Sequence, residues 1–170
     1  MKLSRRRWMM ALAAFAAIDS HAAEPFTRLN VVLLQPSAVL EARTSVDAMA
    51  DYIRAIERAA SDAVAAAASR QSTGGFVVVA VRPGGQSKAW LDFDTLLDLD
   101  VRKRLRDAVQ GVPAMTVREG PVVFALKVAL WGGKESRRSV PTPPEWKQAG
   151  ASGPAREVGE LVESIWDSAP

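Results

Sequence analysis

Residues 76–93 read FVVVAVRPGGQSKAWLDF, and this stretch decides the fold. Residues 76–82 are apolar on both alternating sets of side chains, which is typical of a central strand. Residues 86–93 alternate between apolar and polar, which predicts a second strand. Pro83-Gly84-Gly85 separates them, and a tight turn needs proline's fixed φ followed by glycine's positive one. The stretch therefore predicts a β-hairpin with a buried first strand.

Two amphipathic helices flank this hairpin along the chain. Residues 44–68 carry apolar side chains at helical spacing and begin with a TSVD capping pattern. The second helix is predicted to begin at Asp94 or Asp98 and to end at Gln110, before a glycine. Each helix has one apolar face, so we expect both to pack on the sheet.

Two further strands are predicted outside the hairpin. Residues 29–34 (LNVVLL) form a short β-branched run that ends before Pro36. Residues 122–131 (VVFALKVALW) form the longest strand candidate. One of its faces is large and apolar, whereas the other is smaller and includes Lys127, so we expect only the first face to be fully buried.

Together these elements predict one α+β domain over residues 24–131. Its expected architecture is a small antiparallel sheet with two main helices packed on one face, plus a C-terminal helical tail. Residues 132–170 form a separate segment with an amphipathic C-terminal helix, and residues 132–154, rich in Gly, Pro, Ser and charge, indicate a linker or a long surface loop. Residues 156–167 within this segment are amphipathic, and either dock on the domain or meet a partner.

The N-terminus, residues 1–23, has the layout of a cleaved secretory signal. A basic stretch precedes an apolar run of about 11 residues and a small-residue end at Ser20-His21-Ala22 or His21-Ala22-Ala23. A membrane anchor is the alternative, although a bilayer core needs roughly 20 apolar residues. We expect a periplasmic protein exported by the general route, with the twin-arginine route as the alternative because of residues 5–7 (RRR).

Charge and residue types then limit the function. Without residues 1–23 the chain keeps 18 basic and 18 acidic residues, so no basic surface for nucleic acid is expected. The chain has no cysteine, and its single histidine, His21, lies in the signal. Ser-His-Asp and Cys-His sites, the usual zinc sites and covalent haem attachment are therefore excluded. No GxGxxG or Walker pattern occurs, so we predict no catalytic, cofactor or metal residues.

One acidic cluster, Asp92, Asp94, Asp98 and Asp100, keeps two interpretations open. Carboxylates this close in sequence suit a hard cation such as Ca²⁺, or the acid and base roles of a glycan hydrolase. Alternatively, they cap the second helix and occupy solvated turn positions.

Four tryptophans and a basic run are further candidate binding features of the sequence. Trp90 and Trp131 lie on the more polar faces of their strands, where they either pack on the domain or contact a partner. Trp146 and Trp166, in the tail, are candidate recognition anchors. The basic residues of the 102–106 run are interpreted as the solvated face of the second helix.

The order of elements resembles the C-terminal domain of the TonB and TolA proteins. Gly75 with the strand after it matches that family's first strand, and Gly84-Gly85 matches its turn. Residues 97–109 match its second helix and Val112-Pro113 its proline-bearing loop, so the resemblance covers roughly residues 45–131. It implies a small sheet whose closing strand, here residues 122–131, lies at an edge and can pair with a partner's strand.

We therefore predict a non-enzymatic interaction domain that binds an envelope protein or a second copy by strand pairing. The alternatives are an inhibitor or immunity-type protein and a carboxylate-dependent hydrolase of envelope glycans. An apolar edge is usually covered, so we expect residues 122–131 to be paired with a second copy, a partner's strand or residues 29–34. The candidate partner-binding residues are Val123, Ala125, Lys127, Ala129, Trp131 and Trp90.

Overall fold

A computed structural model describes residues 23–151 and 156–167 of this chain. The predicted export signal, apart from Ala23, lies outside the described residues. The described residues form nine elements: β1 (Phe26–Leu33), α1 (Ser37–Arg43), α2 (Val46–Ala65), β2 (Thr73–Arg82), β3 (Gln86–Phe93), α3 (Leu99–Gln110), β4 (Val122–Leu130), α4 (Pro144–Ala151) and α5 (Val158–Ser164).

The four strands form one antiparallel sheet in the order β1-β4-β2-β3. The predicted α+β architecture is confirmed, with α2 and α3 on one face of this sheet. The predicted edge position of residues 122–131 is wrong, because β4 lies between β1 and β2. β1 covers its outer side from Phe26 opposite Leu130 to Leu33 opposite Phe124. Of the three expected occupants, the N-terminal strand of the same chain is the one observed.

The central hairpin has the predicted form. β2 and β3 pair from Gly75 opposite Phe93 to Arg82 opposite Gln86. The connecting turn carries φ values of 86° at Gly84 and 73° at Gly85. Both values lie in the left-handed region that glycine tolerates without strain, so the sequence signal had a direct structural cause.

We call the side of the sheet under α2 and α3 the helical face. Both helices begin with a side-chain cap, since Ser45 accepts from the amide of Ala48 and Asp98 accepts from the amide of Asp100. Their apolar residues pack on the large side chains of β4, which are fully buried. The central members of this core are Ile56, Val64, Val77, Val79, Leu105, Val109, Phe124, Leu126 and Leu130.

The opposite side of the sheet, the tail face, is covered by α4 and α5. Trp146 of α4 and Val162 and Ile165 of the α5 region pack on Phe76 and Trp90 in a second apolar core. The expectation that only one face of residues 122–131 is fully buried is therefore wrong. The tail docks on the domain and excludes water from the smaller side chains of β4. No helix within residues 23–151 and 156–167 is both long and apolar enough to cross a bilayer.

A short helix, α1, was absent from the sequence prediction. It lies between β1 and α2 and buries Leu40. The guanidinium of Arg43 donates to the carbonyl of Pro121 at 2.6 Å, and the amide of Arg118 donates to the carbonyl of Arg43 at 2.9 Å. These bonds tie α1 to the loop before β4, so α1 is fixed beside the outer strand.

Candidate functional site at the outer strand

The residues predicted to bind a partner lie inside the domain. Val123, Ala125 and Trp90 are 0–1% exposed, beneath the tail. Ala129 and Trp131 are also buried. Lys127 keeps 13% of its side chain exposed and pairs with Glu135 at 2.6 Å. With β4 in the interior of the sheet, the two edge strands are β1 and β3.

The outer edge of β1 offers main-chain groups to the surroundings. The amide of Leu34 donates inward to the carbonyl of Val123, so the alternation of an antiparallel ladder directs the amides of Val31 and Leu33 outward. The outward amide of Val31 donates to the side-chain oxygen of Asn30 at 2.8 Å. An exposed side chain therefore occupies one outward donor, and the Leu33 position is the next along the edge.

Two features limit how much of this edge a strand can use. The ladder with β4 shifts between Arg28 and Asn30, which leaves Leu29 in a bulge. A bulge bends a strand and interrupts its edge. Arg28 in addition forms an ion pair with Glu57 of α2. The first half of β1 is therefore guarded, and the second half, from Val31 to Leu33, is the accessible part.

An apolar groove of about 320 Å³ adjoins that second half. Its floor and walls come from β1, α1 and α2, and two exposed apolar side chains, Leu33 at 48% and Val46 at 76%, stand at its rim. The lining residues are Val31, Leu33, Ser37, Leu40, Glu41, Thr44, Ser45, Val46, Met49, Ala50 and Ile53. Because the groove runs beside outward amides, one ligand can use both.

The acidic cluster predicted from residues 92–100 does not converge on one site. Asp92 accepts from Arg138 Nη1 at 2.6 Å and from the amide of Thr142 at 2.6 Å. Asp94 accepts from the Ser136 hydroxyl at 2.8 Å and from Arg138 Nη2 at 3.0 Å. One guanidinium thus bridges two aspartates and anchors the segment that leads into α4.

The remaining two carboxylates belong to α3. Asp98 caps this helix, which confirms the capping interpretation for that residue, and Asp100 pairs with Arg104 at 2.7 Å. Across the described parts of the chain, no three His, Cys, Asp or Glu side chains are grouped as a metal site.

The charge state of Arg138 follows from this geometry. Partial burial acts to lower the pKa of its guanidinium, but the hydrogen bonds and charges of Asp92 and then Asp94 outweigh burial and raise the pKa. The arrangement is therefore a charged ionic tie, in which both carboxylates are already engaged by a cation.

A second polar tie lies on the tail face. Lys88 Nζ donates to the carbonyls of Trp166, at 2.6 Å, and Ile165, at 3.3 Å, at the end of α5. Burial lowers the pKa of Lys88, and the carboxylates of Asp167 and Glu145 partly oppose this. A cation at a helix C-terminus meets unpaired carbonyls, so Lys88 fastens the tail to β3.

The tryptophans of the described residues pack rather than project. Trp90 and Trp146 meet edge to face with ring centroids 5.6 Å apart. The guanidinium of Arg82 lies 4.4 Å from the ring of Trp166. For Trp90 the packing interpretation is confirmed by its full burial. Trp146, proposed as a recognition anchor, is instead buried in the second apolar core, and Trp166, the other candidate anchor, packs on the same core while partly exposed.

Sequence reasoning missed the groove because it missed α1. The signal was weak, since this seven-residue helix buries one residue and has no side-chain cap. Pro36 before Ser37 was available as a marker, because proline is common where helices begin. Comparison of this chain with protein-family models, with curated proteins and with solved structures gives no match.

Proposed function

We propose that this chain is an exported periplasmic interaction domain without catalytic activity, similar in element order to the C-terminal domains of TonB and TolA. Its binding site is the second half of β1 and the adjoining groove. The ligand is an extended segment of an envelope protein that pairs with β1 and places apolar side chains in the groove. The observation that carries the proposal is the outward edge of Val31 and Leu33 beside that groove.

The physical case for an extended ligand rests on two complementary needs. Outward amides and carbonyls of an edge strand are best satisfied by another main chain. Leu33 and Val46 are large apolar side chains left in water, and covering them is favourable by roughly 25 cal/mol for each Å² buried. An extended peptide with apolar residues at alternate positions supplies both kinds of contact at once.

Asn30 gives this site a built-in competitor. Its side-chain oxygen accepts from the amide that a partner's carbonyl would use. Because Asn30 is exposed, rotation of its side chain releases the amide at small cost. We therefore interpret Asn30 as a guard of the free edge that an incoming strand displaces.

The periplasmic location and the absence of catalysis rest on the sequence. The signal-like N-terminus supports export. The absence of cysteine and of a histidine outside the signal supports a binding role over nucleophilic catalysis. The engagement of Asp92 and Asp94 by Arg138 disfavours the glycan hydrolase alternative, because an acid and base pair needs carboxylates that are open to substrate.

The test selects binders from a displayed peptide library on the purified protein and measures their affinity for two matched variants. Leu33→Lys places a charge at the groove, whereas Leu99→Lys places the same charge at an exposed leucine on α3. Selected peptides should carry apolar residues at alternate positions and lose affinity at least about tenfold with Leu33→Lys only, since burying an unpaired charge is costly. Equal affinity for the wild type and the Leu33→Lys variant would refute the site.

Asn30→Ala sharpens the same test. Removing the competing acceptor should tighten peptide binding by roughly two- to tenfold, the value of one neutral hydrogen bond. Amide hydrogen exchange should show the Val31 and Leu33 amides protected by bound peptide. If protection of these amides in the pure protein instead rises with concentration, the occupant is a second copy of this chain.

A further inference from the structure

The basic run of α3 divides into two pairs with different surroundings. Lys103 pairs with Asp107 and Arg104 pairs with Asp100, each across one exposed helical turn. Arg102 and Arg106 point elsewhere and are half-buried. Their Nε atoms are inaccessible to water, and neither side chain forms a hydrogen bond or ion pair with any residue in the described ranges 23–151 and 156–167.

These two arginines lie along the outer edge of β3. Residues 102, 106 and 110 recur every fourth position, so they form one row on α3. Gln110 ends this row, and its side-chain oxygen accepts from the outward amide of Ala89 at 3.0 Å. Along an antiparallel strand, the amides of every second residue point to the same side. The amide of Leu91, two residues after Ala89, therefore also points outward, toward Arg102 and Arg106. Glutamine supplies an acceptor to the strand, but guanidinium groups supply only donors.

A small pocket of about 140 Å³ lies at this point. It is lined by Leu91, Phe93, Arg102 and Arg106, with Leu96 and Pro144 among the residues at its borders. Asp92 also borders the pocket, but its carboxylate is held by Arg138 and by the amide of Thr142. Glu145 borders it as well and forms no ion pair with either arginine.

We propose that this pocket binds one oxyanion group, a carboxylate or a phosphate, between Arg102 and Arg106 and the amide of Leu91. Arg102 and Arg106 line the pocket without an acceptor among the described residues, and an oxyanion accepts charge-assisted N–H bonds from guanidinium groups. The volume accommodates a single such group. β1 and β3 are the two opposite edges of the sheet, so this site is independent of the proposed strand-binding site.

The test uses NMR of the full chain, with separate titrations by inorganic phosphate and by acetate at constant ionic strength. The arginine Nε–H signals of residues 102 and 106 and the amide of Leu91 should shift and saturate. Saturation with phosphate alone identifies a phosphate site, and saturation with both ions identifies a general oxyanion site. Shifts that remain linear, or that Arg104 shares equally, would show non-specific ion attraction and overturn the proposal.

Variants separate a built site from a positive field. Arg102→Met and Arg106→Met should each weaken phosphate binding by about tenfold or more, because a charged hydrogen bond is lost. Arg104→Met, a matched change on the same helix, should leave the affinity unchanged. Arg106→Lys keeps the charge and the fold, and undiminished affinity in this variant would overturn the role of the guanidinium fork.

Glu145→Gln tests the internal alternative. If the wild type shows no saturable phosphate binding and this variant acquires it, the carboxylate of Glu145 fills the pocket and the proposal fails. If both bind phosphate with similar affinity, the pocket is open to an external ligand, as proposed.

Discussion

The two faces of the sheet are buried by different means. On the helical face, two long capped helices cover β4 with apolar side chains, and the buried hydroxyl of Tyr52 lies among them. On the tail face, two short helices cover the sheet, and charged residues are included in the packing. Lys88 and Asp92 are each less than 10% exposed there.

This difference shows how a segment of weak helical character is held in place. A long amphipathic helix is positioned by its own apolar stripe. The helices of the tail are short, and ionic ties to β3 at Asp92 and Lys88 add to their apolar contacts in holding the tail on the sheet. A buried ion pair contributes little net stability, but removal of one partner leaves an uncompensated buried charge and is destabilising. The following experiments separate the two kinds of cover.

The largest effect is expected on the helical face. Phe124→Ala removes a fully buried ring that meets Tyr52 edge to face at 6.3 Å. We expect the free energy of unfolding to fall by about 3–5 kcal/mol, as is usual for a phenylalanine truncated in a core. Urea unfolding followed by circular dichroism measures this loss. A loss below that of a matched truncation on the tail face would contradict the comparison.

That matched truncation is Trp146→Ala. The ring is 7% exposed, and its buried Nε1 has no acceptor among the described residues, so its removal also relieves one unsatisfied donor. We expect a loss of about 3 kcal/mol, at the lower end of the range for core aromatics. The near-ultraviolet circular dichroism of the Trp90–Trp146 contact should disappear. Its persistence would show that the two rings are not in contact in solution.

A third experiment addresses the ionic tie. Arg138→Met leaves Asp92 buried without its cation, and we expect the free energy of unfolding to fall by about 1–3 kcal/mol. Arg137→Met is the control at an exposed neighbour, with an expected change within about 0.5 kcal/mol. Adding Asp92→Asn to Arg138→Met should recover part of the loss. No recovery would mean that Arg138 acts through packing alone.

The smallest effect concerns Tyr52. It is the single tyrosine of the chain, so tyrosinate absorbance at alkaline pH reports this one group. Burial raises the pKa of Tyr52, and the hydroxyl of Ser87 beside it lowers the pKa by a smaller amount. Titration should give a midpoint above 10.0 in the folded protein. A midpoint at 10.0 or below would show an open hydroxyl.

The same group makes stability depend on pH in one direction. Because the folded pKa is the higher one, the unfolded chain loses this proton first, and stability falls as the pH rises from the unfolded toward the folded pKa. Tyr52→Phe should remove this component of the alkaline decline.

The parts predicted correctly from sequence were those set by neighbouring residues. The hairpin depends on a strand pattern and on the turn residues Gly84 and Gly85. The start of α3 depends on Asp98, whose side chain accepts from the amide of Asp100, two residues later. The position of β4 was predicted wrongly, because strand order depends on pairing with β1, at the other end of the domain. Local patterns carry no information on that choice.

The candidate sites could not be predicted from the sequence for the same reason, because each is formed by residues that are far apart along the chain. The groove forms only where α1 and α2 meet β1. Because α1 buries a single residue, its sequence has no apolar pattern that would predict a helix. The tie of Asp92 to Arg138 joins residues 46 positions apart, so the acidic cluster looked unpaired in sequence. The basic run of α3 was visible, but which two of its members lacked partners depends on the packing of α3 against β3.

The pairing of β1 with β4 also has a consequence for how the chain acquires its structure. β1 is synthesised first, and its ladder partner follows about a hundred residues later. Closing so long a loop is slow, because its entropy must be lost before the ladder repays it. During that interval Val31, Val32 and Leu33 have neither a neighbouring strand nor a core to cover them. The N-terminal strand therefore waits longer for a partner than β2 and β3, which pair with each other across a tight turn.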